Sequence, residues 1–274
     1  MWRETIEVVR QVLDDIGEKN AGLISAGVAF YGLFAIFPGI AAVIALFGLL
    51  ANPAIVETQL DLMAGLMPPA VFELFQSQID GLLSAGTGTL GFASLLSIGL
   101  ALWSARAGVA ALMLGLNAIY GRPNRSSLRH VLVALLLTIC LVGIAIVALL
   151  MVVVAPIVLA LVPFDTDRGL WLEVIRWLVA MSVLFLGLGL LYRYGPNRRA
   201  SRTGWVTPGS VLVIVLWIGV SIGFSIYVAN FSNYNEVYGS IGAVIALLFW
   251  FYLSAFLVLV GASLNITLER RKPM

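Results

Sequence analysis

Arg106 stands near the middle of Thr89–Tyr120, TLGFASLLSIGLALWSARAGVAALMLGLNAIY, a run with no other charge. A hydrocarbon core about 30 Å thick takes roughly 20 helical residues, and this run exceeds that length. Arg106 lies roughly 16 residues, or about 24 Å at 1.5 Å per residue, from either end. Snorkelling alone does not bring its charge to water from there. Insertion scales put an arginine at mid-helix at a cost of about 2.5–3.5 kcal/mol, so such residues face a bundle interior or a wet cavity and take a partner. No Asp or Glu lies deep within another apolar run, Glu173 being close to an end. The partners left are backbone carbonyls freed near Pro38 or Pro156, the side chains of Tyr31 or Asn265, water, or an anionic ligand. Two readings stand: a structural arginine that caps carbonyls of broken helices, and a cavity arginine that meets anionic headgroups or solutes.

Little else in the chain could do chemistry. His130 is the single histidine and Cys140 the single cysteine, inside an apolar run. There is accordingly no disulfide framework and no thiolate metal site. Phosphodiester hydrolysis wants two metals or a general base with partners, and one histidine beside scattered loop acids does not assemble either. No HExxH or phosphate-cradling glycine loop is present. The expectation is no enzyme, no cofactor, no metal and no nucleic-acid partner. One polar turn, Asn235, Tyr238, Gly239 and Ser240, feeds directly into an apolar run. Ser240 or Asn235 can cap the helix that starts there; the other reading is a substrate gate. Trp103, Trp250 and Tyr252 lie in apolar runs, where their polar tips look for partners.

The elements that position these residues belong to a membrane. The chain is 61% hydrophobic and 11% charged, with mean hydropathy +1.03, against about 25% charged in soluble domains. Trp2, Ile6, Val9, Leu13 and Ile16 recur at helical spacing between charges, the pattern of an amphipathic helix lying at the membrane surface over residues 1–20; packing against the chain's own cytoplasmic loops is the alternative. Its acids, Glu4, Glu7, Asp14 and Asp15, argue against a cleavable signal peptide.

Six apolar spans follow, about 21–50, 89–120, 131–162, 170–192, 206–229 and 239–268. They make one all-α membrane domain over 21–268, with a basic tail at 269–274. Pro38 is expected to kink or break the first span and Pro156 to bend the third, because proline removes a helix hydrogen bond. Between spans one and two, first-turn prolines at Pro53 and Pro69 suggest an outer hairpin of two short helices. Glu173 and Arg176 can pair at the start of span four. Ala107, Ala111 and Gly115, and the Gly219–Gly223 pair, are small-residue motifs that permit close helix approach.

Orientation follows the arginines and lysines. Arg122, Arg125 and Arg129, then Arg193, Arg198, Arg199 and Arg202, then Arg270, Arg271 and Lys272 fall on the side of the N-terminus. Acids such as Glu57, Asp61, Glu73 and Asp165 gather on the other. Both termini are expected in the cytoplasm.

Phe231–Asn265, FSNYNEVYGSIGAVIALLFWFYLSAFLVLVGASLN, resembles the signature of the YihY/BrkB family of bacterial inner-membrane proteins. GVAFYGLFAIFP, LWSARAGVAALMLGLNAIYG and LYRYGPN are similar to that family too, so the resemblance covers nearly the whole chain. It implies six spans and the inner membrane, and no settled activity: members have been labelled ribonuclease BN, a misassignment, and described as virulence or serum-resistance factors or as transporters. One departure is Ser263, at a position where the family's Gly-Ala-x-Leu-Asn motif often has an acid; this argues against proton coupling there. The expected function is a transporter or lipid-translocating protein with a polar cavity around Arg106, its partners membrane lipids and an anionic headgroup or solute. The alternative is a non-transporting envelope scaffold. Candidate site residues are Arg106, Tyr31, Asn235, Tyr238, Ser240 and Asn265.

Overall fold

A computed structural model describes residues 2–50, 87–161, 166–198, 204–230 and 235–271. Among them are seven α-helices: α1 (Trp2–Glu18), α2 (Ala21–Leu50), α3 (Thr87–Ile119), α4 (Ser127–Leu161), α5 (Thr166–Tyr194), α6 (Pro208–Asn230) and α7 (Asn235–Arg271). The described residues include no strand. The outer hairpin expected between spans one and two lies outside the described residues.

α1 differs in kind from the rest. Its apolar and charged residues separate onto different faces, whereas α2 to α7 are apolar nearly all round, as helices surrounded by lipid are. Four stretches among the described residues are long and apolar enough to cross a membrane: Ile98–Ile119, Ser127–Val147, Pro208–Tyr227 and Val244–Arg271. Leu178–Tyr194 is a shorter apolar stretch, and α1 and the first part of α2 form a pair bent by 61°. Asn20, at φ 52°, ends α1 in the left-handed conformation and makes that bend, a role asparagine fills more readily than most residues.

The helices do not end at either proline. α2 runs through Pro38 and α4 through Pro156 as single helices, so neither proline ends its helix. A proline removes one rung of the ladder, and the rungs on either side suffice to carry the helix on.

The chain divides into two compact units, Met1–Phe30 with Arg106–Met274, and Tyr31–Ala105. In the second unit the described side chains of Phe34, Leu96, Leu100 and Trp103 are exposed. In the first, α6 packs on α7, α4 on α5, and α1 on α7. Its core joins Ala21, Leu112, Leu116, Ile119, Tyr120, Leu191, Tyr192, Leu259 and Ala262. Met113, Ala134 and Leu137 form a second cluster between α3 and α4.

Close approach occurs at particular glycines. A Cβ on Gly115 would lie 2.8 Å from Ile24 and 3.0 Å from Leu259, so the small-residue stripe of α3 does sit at a tight contact. A Cβ on Gly219 or Gly223 would meet nothing within 4 Å among the described residues. The tight crossing of α6 and α7 is made instead by Gly209 and Gly261: a Cβ on Gly209 would strike the Gly261 carbonyl, and one on Gly261 would strike the Tyr192 hydroxyl and Val213. Helices in lipid gain little from apolar burial against each other, so packing and polar contacts hold them. Further along the same pair, Trp217 and Trp250 meet edge-on at 5.7 Å, and the Trp217 ring N–H donates to Ser254 Oγ at 3.1 Å.

Candidate functional site

A set of polar side chains in the first unit converges at one end, where α3, α5 and α7 finish and α4 and α6 begin. α3 ends in a Schellman motif. Gly121 takes φ 59°, its N–H donates to Ala118 O at 3.2 Å, and the Arg122 N–H donates to Asn117 O at 2.8 Å. A glycine serves there because the left-handed turn carries no Cβ penalty. Pro123 follows, and the chain turns back toward α4.

That turn is fastened to the end of α5. The Arg125 guanidinium donates to three successive carbonyls, Tyr194 O at 3.0 Å, Gly195 O at 2.6 Å and Pro196 O at 2.7 Å. A helix C-terminus leaves carbonyls without helical partners, and a planar five-donor fork suits several at once. Burial, and then the charge of Arg129, press the Arg125 pKa down; the guanidinium stays charged regardless. Asn117, buried in α3, adds two links: its amide donates to Asn124 Oδ1 at 3.0 Å, and its Oδ1 accepts from the Asn197 N–H at 2.7 Å. Asn197 Nδ2 in turn donates to Pro123 O at 3.0 Å.

Arg198 ties in α7. Its side chain, 5% exposed, pairs with Glu269 at 2.7 Å and lies over the Tyr120 ring at 4.0 Å. Tyr192, fully buried, donates its hydroxyl to Val258 O at 2.9 Å. Arg193 covers the Trp205 ring at 5.2 Å.

The start of α6 completes this collar, and every first-turn donor there has a partner. Thr207 is the N-cap. Its Oγ1 accepts from the Ser210 N–H at 3.1 Å while Ser210 Oγ accepts from the Thr207 N–H at 2.9 Å, a reciprocal capping box. Pro208, at the first helical position, has no N–H to satisfy. The Gly209 N–H donates to Asn265 Oδ1 at 2.8 Å, and Asn265 Nδ2 donates to Thr207 Oγ1 at 3.0 Å. Val211 N–H then begins the helical ladder on Thr207 O at 3.1 Å.

The sequence-predicted residues are thus distributed. Asn265 is buried and engaged with Thr207 and Gly209. Arg106 is partly buried in α3, inside Ile98–Ile119 and about 20 Å from the Ile119 end at 1.5 Å per residue. His130 stands in the first turn of α4, where its backbone N–H donates to Ser126 O at 2.8 Å. Tyr31 lies on α2 in the other unit and is 41% exposed. Asn235, Tyr238 and Ser240 stand in the opening turns of α7; their side chains lie outside the described ones, as do those of Pro38, Pro156, Glu173 and Arg176. Sequence reasoning passed over Asn117, Arg125, Tyr192 and Arg198. The signal for them was the Tyr-Gly-Pro-Asn turn after α5, whose carbonyls need donors. No group of three or more His, Cys, Asp or Glu among the described residues could hold a metal ion.

The family described as Virulence factor BrkB matches residues 12–273. The chain belongs to that family. A ribonuclease-like protein of Bacillus subtilis, YfkH, is 35% identical over 257 residues, which is 91% of this chain and 90% of the relative. A UPF0761 membrane protein of Xanthomonas campestris is 41% identical over 111 residues, and one of Xanthomonas oryzae 40% identical over 111. Those matches take in 40% of this chain and 26% of each relative, so this BrkB-family chain spans about a quarter of the Xanthomonas proteins. No solved structure matches it. Family and helices agree that this is a membrane protein.

Proposed function

We propose that this BrkB-family protein spans the bacterial inner membrane six times, through α2 to α7, with both termini in the cytoplasm, and passes an anionic lipid headgroup or solute along a polar path at Arg106. One observation carries the reading: Arg106 is the sole charge in the apolar Ile98–Ile119 stretch, and its side chain is partly buried there. A guanidinium in that setting favours an anion that shares its desolvation. The collar then lies at the cytoplasmic end, consistent with its arginines. We read the protein as a carrier and not an enzyme, since its lone histidine and scattered acids make no acid–base pair.

A second reading, a non-transporting envelope scaffold, draws support from the collar itself. Its arginines and asparagines are committed to fastening helix ends, which is what a rigid platform needs. Reconstitution separates the two. Proteoliposomes carrying a fluorescent anionic lipid in one leaflet, with a fluorescent zwitterionic lipid and an anionic solute as parallel cargoes, should show protein-dependent movement of an anionic cargo. Movement of none of them above protein-free vesicles would favour the scaffold.

A further inference from the structure

α1 is amphipathic in an unusual sense, because its polar edge faces the protein. Arg271, at the end of α7, donates to Glu4 O at 3.4 Å and Gln11 Oε1 at 3.1 Å and pairs with Glu7 at 3.5 Å. One turn past Gln11, Asp15 accepts from Ser263 Oγ at 3.4 Å, and Ser263 is fully buried. Val12 is buried beside this edge and Ile16 packs against the core.

The remaining apolar side chains point away. Ile6, Val9 and Leu13 are 62%, 53% and 63% exposed, and their spacing of three and four puts them on one stripe. A soluble protein would turn Ile6, Val9 and Leu13 inward. Here the inward side is already occupied by Arg271 and Ser263, so the stripe needs an apolar medium outside the protein.

We infer that α1 lies in the headgroup–acyl boundary of the bilayer, with Ile6, Val9 and Leu13 in the lipid and its Glu4–Gln11–Asp15 edge clamped to α7. The charges and the connection both favour lipid over a protein partner. Arg10 borders the stripe with its side chain 83% exposed, 4.0 Å from the likewise exposed Asp14, and its remaining donors are placed to meet lipid phosphates. α1 joins α2 through the 61° bend, and such an angle lays a helix along the membrane surface at the mouth of a span. Beyond the bend the apolar surface resumes with exposed Leu23 and Phe30. A helix with a charged flank and an apolar stripe of this kind binds at that depth. The consequence is an anchored sidedness: α1 links the C-terminal end of α7 directly to the lipid surface. This inference rests on the protein being in a membrane and is independent of any role for Arg106.

Spin labels on the full chain test it. With Cys140 replaced by serine, single cysteines at Val9, Leu13 and Asp14 are labelled in turn, and the protein is placed in lipid nanodiscs. Power saturation is then compared between oxygen, which concentrates in lipid, and a water-soluble nickel chelate. The oxygen-to-nickel ratio should be several-fold higher at Val9 and Leu13 than at Asp14. Equal ratios at all three positions would put the stripe in water and overturn the inference. Low accessibility to both agents at Val9 and Leu13 would overturn it in favour of a protein cover. Should a label at Leu13 prevent folding, Ile6 on the same stripe reports in its place.

Discussion

The amide of Asn265 accepts a hydrogen bond from the Gly209 backbone at 2.8 Å, so a side chain near the end of α7 caps the beginning of α6. A helix start leaves donors without helical partners, and this one is buried. Asn265→Ala should therefore strand the Gly209 N–H and lower stability by about 1–3 kcal/mol. Thermal unfolding of the purified variant in detergent, beside the parent protein, checks this. An unchanged midpoint would mean that water replaces the amide.

The same helix pair offers a steric test. Gly261→Ala would drive a methyl group into the Tyr192 hydroxyl, Val213 and the Gly209 carbonyl, and overpacking of this kind costs about 1–3 kcal/mol. Gly219→Ala and Gly223→Ala meet nothing within 4 Å among the described residues, and each should leave the unfolding midpoint unchanged or raise it slightly, because alanine is the better helix former by about 1 kcal/mol. The order of the three midpoints is the result to read.

Arg125→Lys tests the clamp on α5. Lysine keeps the charge but offers no planar fork, so at least one of the Tyr194, Gly195 and Pro196 carbonyls loses its donor. A loss of about 1–3 kcal/mol is expected, with proteolysis near the 195–198 turn as a local readout. Arg122→Lys, at an exposed position, should change neither.

How much of this was legible beforehand differs by residue. The helices were, because uninterrupted apolar runs have few other solutions. The collar was not. Arg125 and Arg198 read as loop charges that set orientation, and the rule that places arginines on one side of a membrane accounts for them without any contact. A topogenic arginine and a clamping arginine share one letter, and only the fold brings Arg125 to the end of α5. The glycines show the same limit. Gly219 and Gly223 form a motif within one helix, while Gly209 and Gly261 make a contact between two, which no local pattern encodes. Asn265 stood among the ligand candidates as a polar residue near a helix end; its partner is the first turn of another helix. Helix continues through both Pro38 and Pro156.

The proposed orientation has its own check. Reporter tags at Met1 and Met274 should both register as cytoplasmic, and a cysteine at Thr87, on the Cys140→Ser background, should react with an impermeant reagent from outside. A terminus that reports from outside would exchange every inside and outside assignment, and would place the collar on the outer face.

The central claim is that the charge of Arg106 serves an anion, and one comparison addresses it most directly: Arg106→Lys, Arg106→Gln and Arg106→Ala, each purified, measured for thermal stability and for movement of an anionic lipid in proteoliposomes. A cavity arginine predicts partial movement with lysine, loss with glutamine, and midpoints close to the parent for all three. A structural arginine would leave carbonyls unsatisfied on removal, at about 1–3 kcal/mol each where the site is dry. Lower midpoints in both Arg106→Lys and Arg106→Ala, with lipid movement unchanged per folded molecule, would contradict the account.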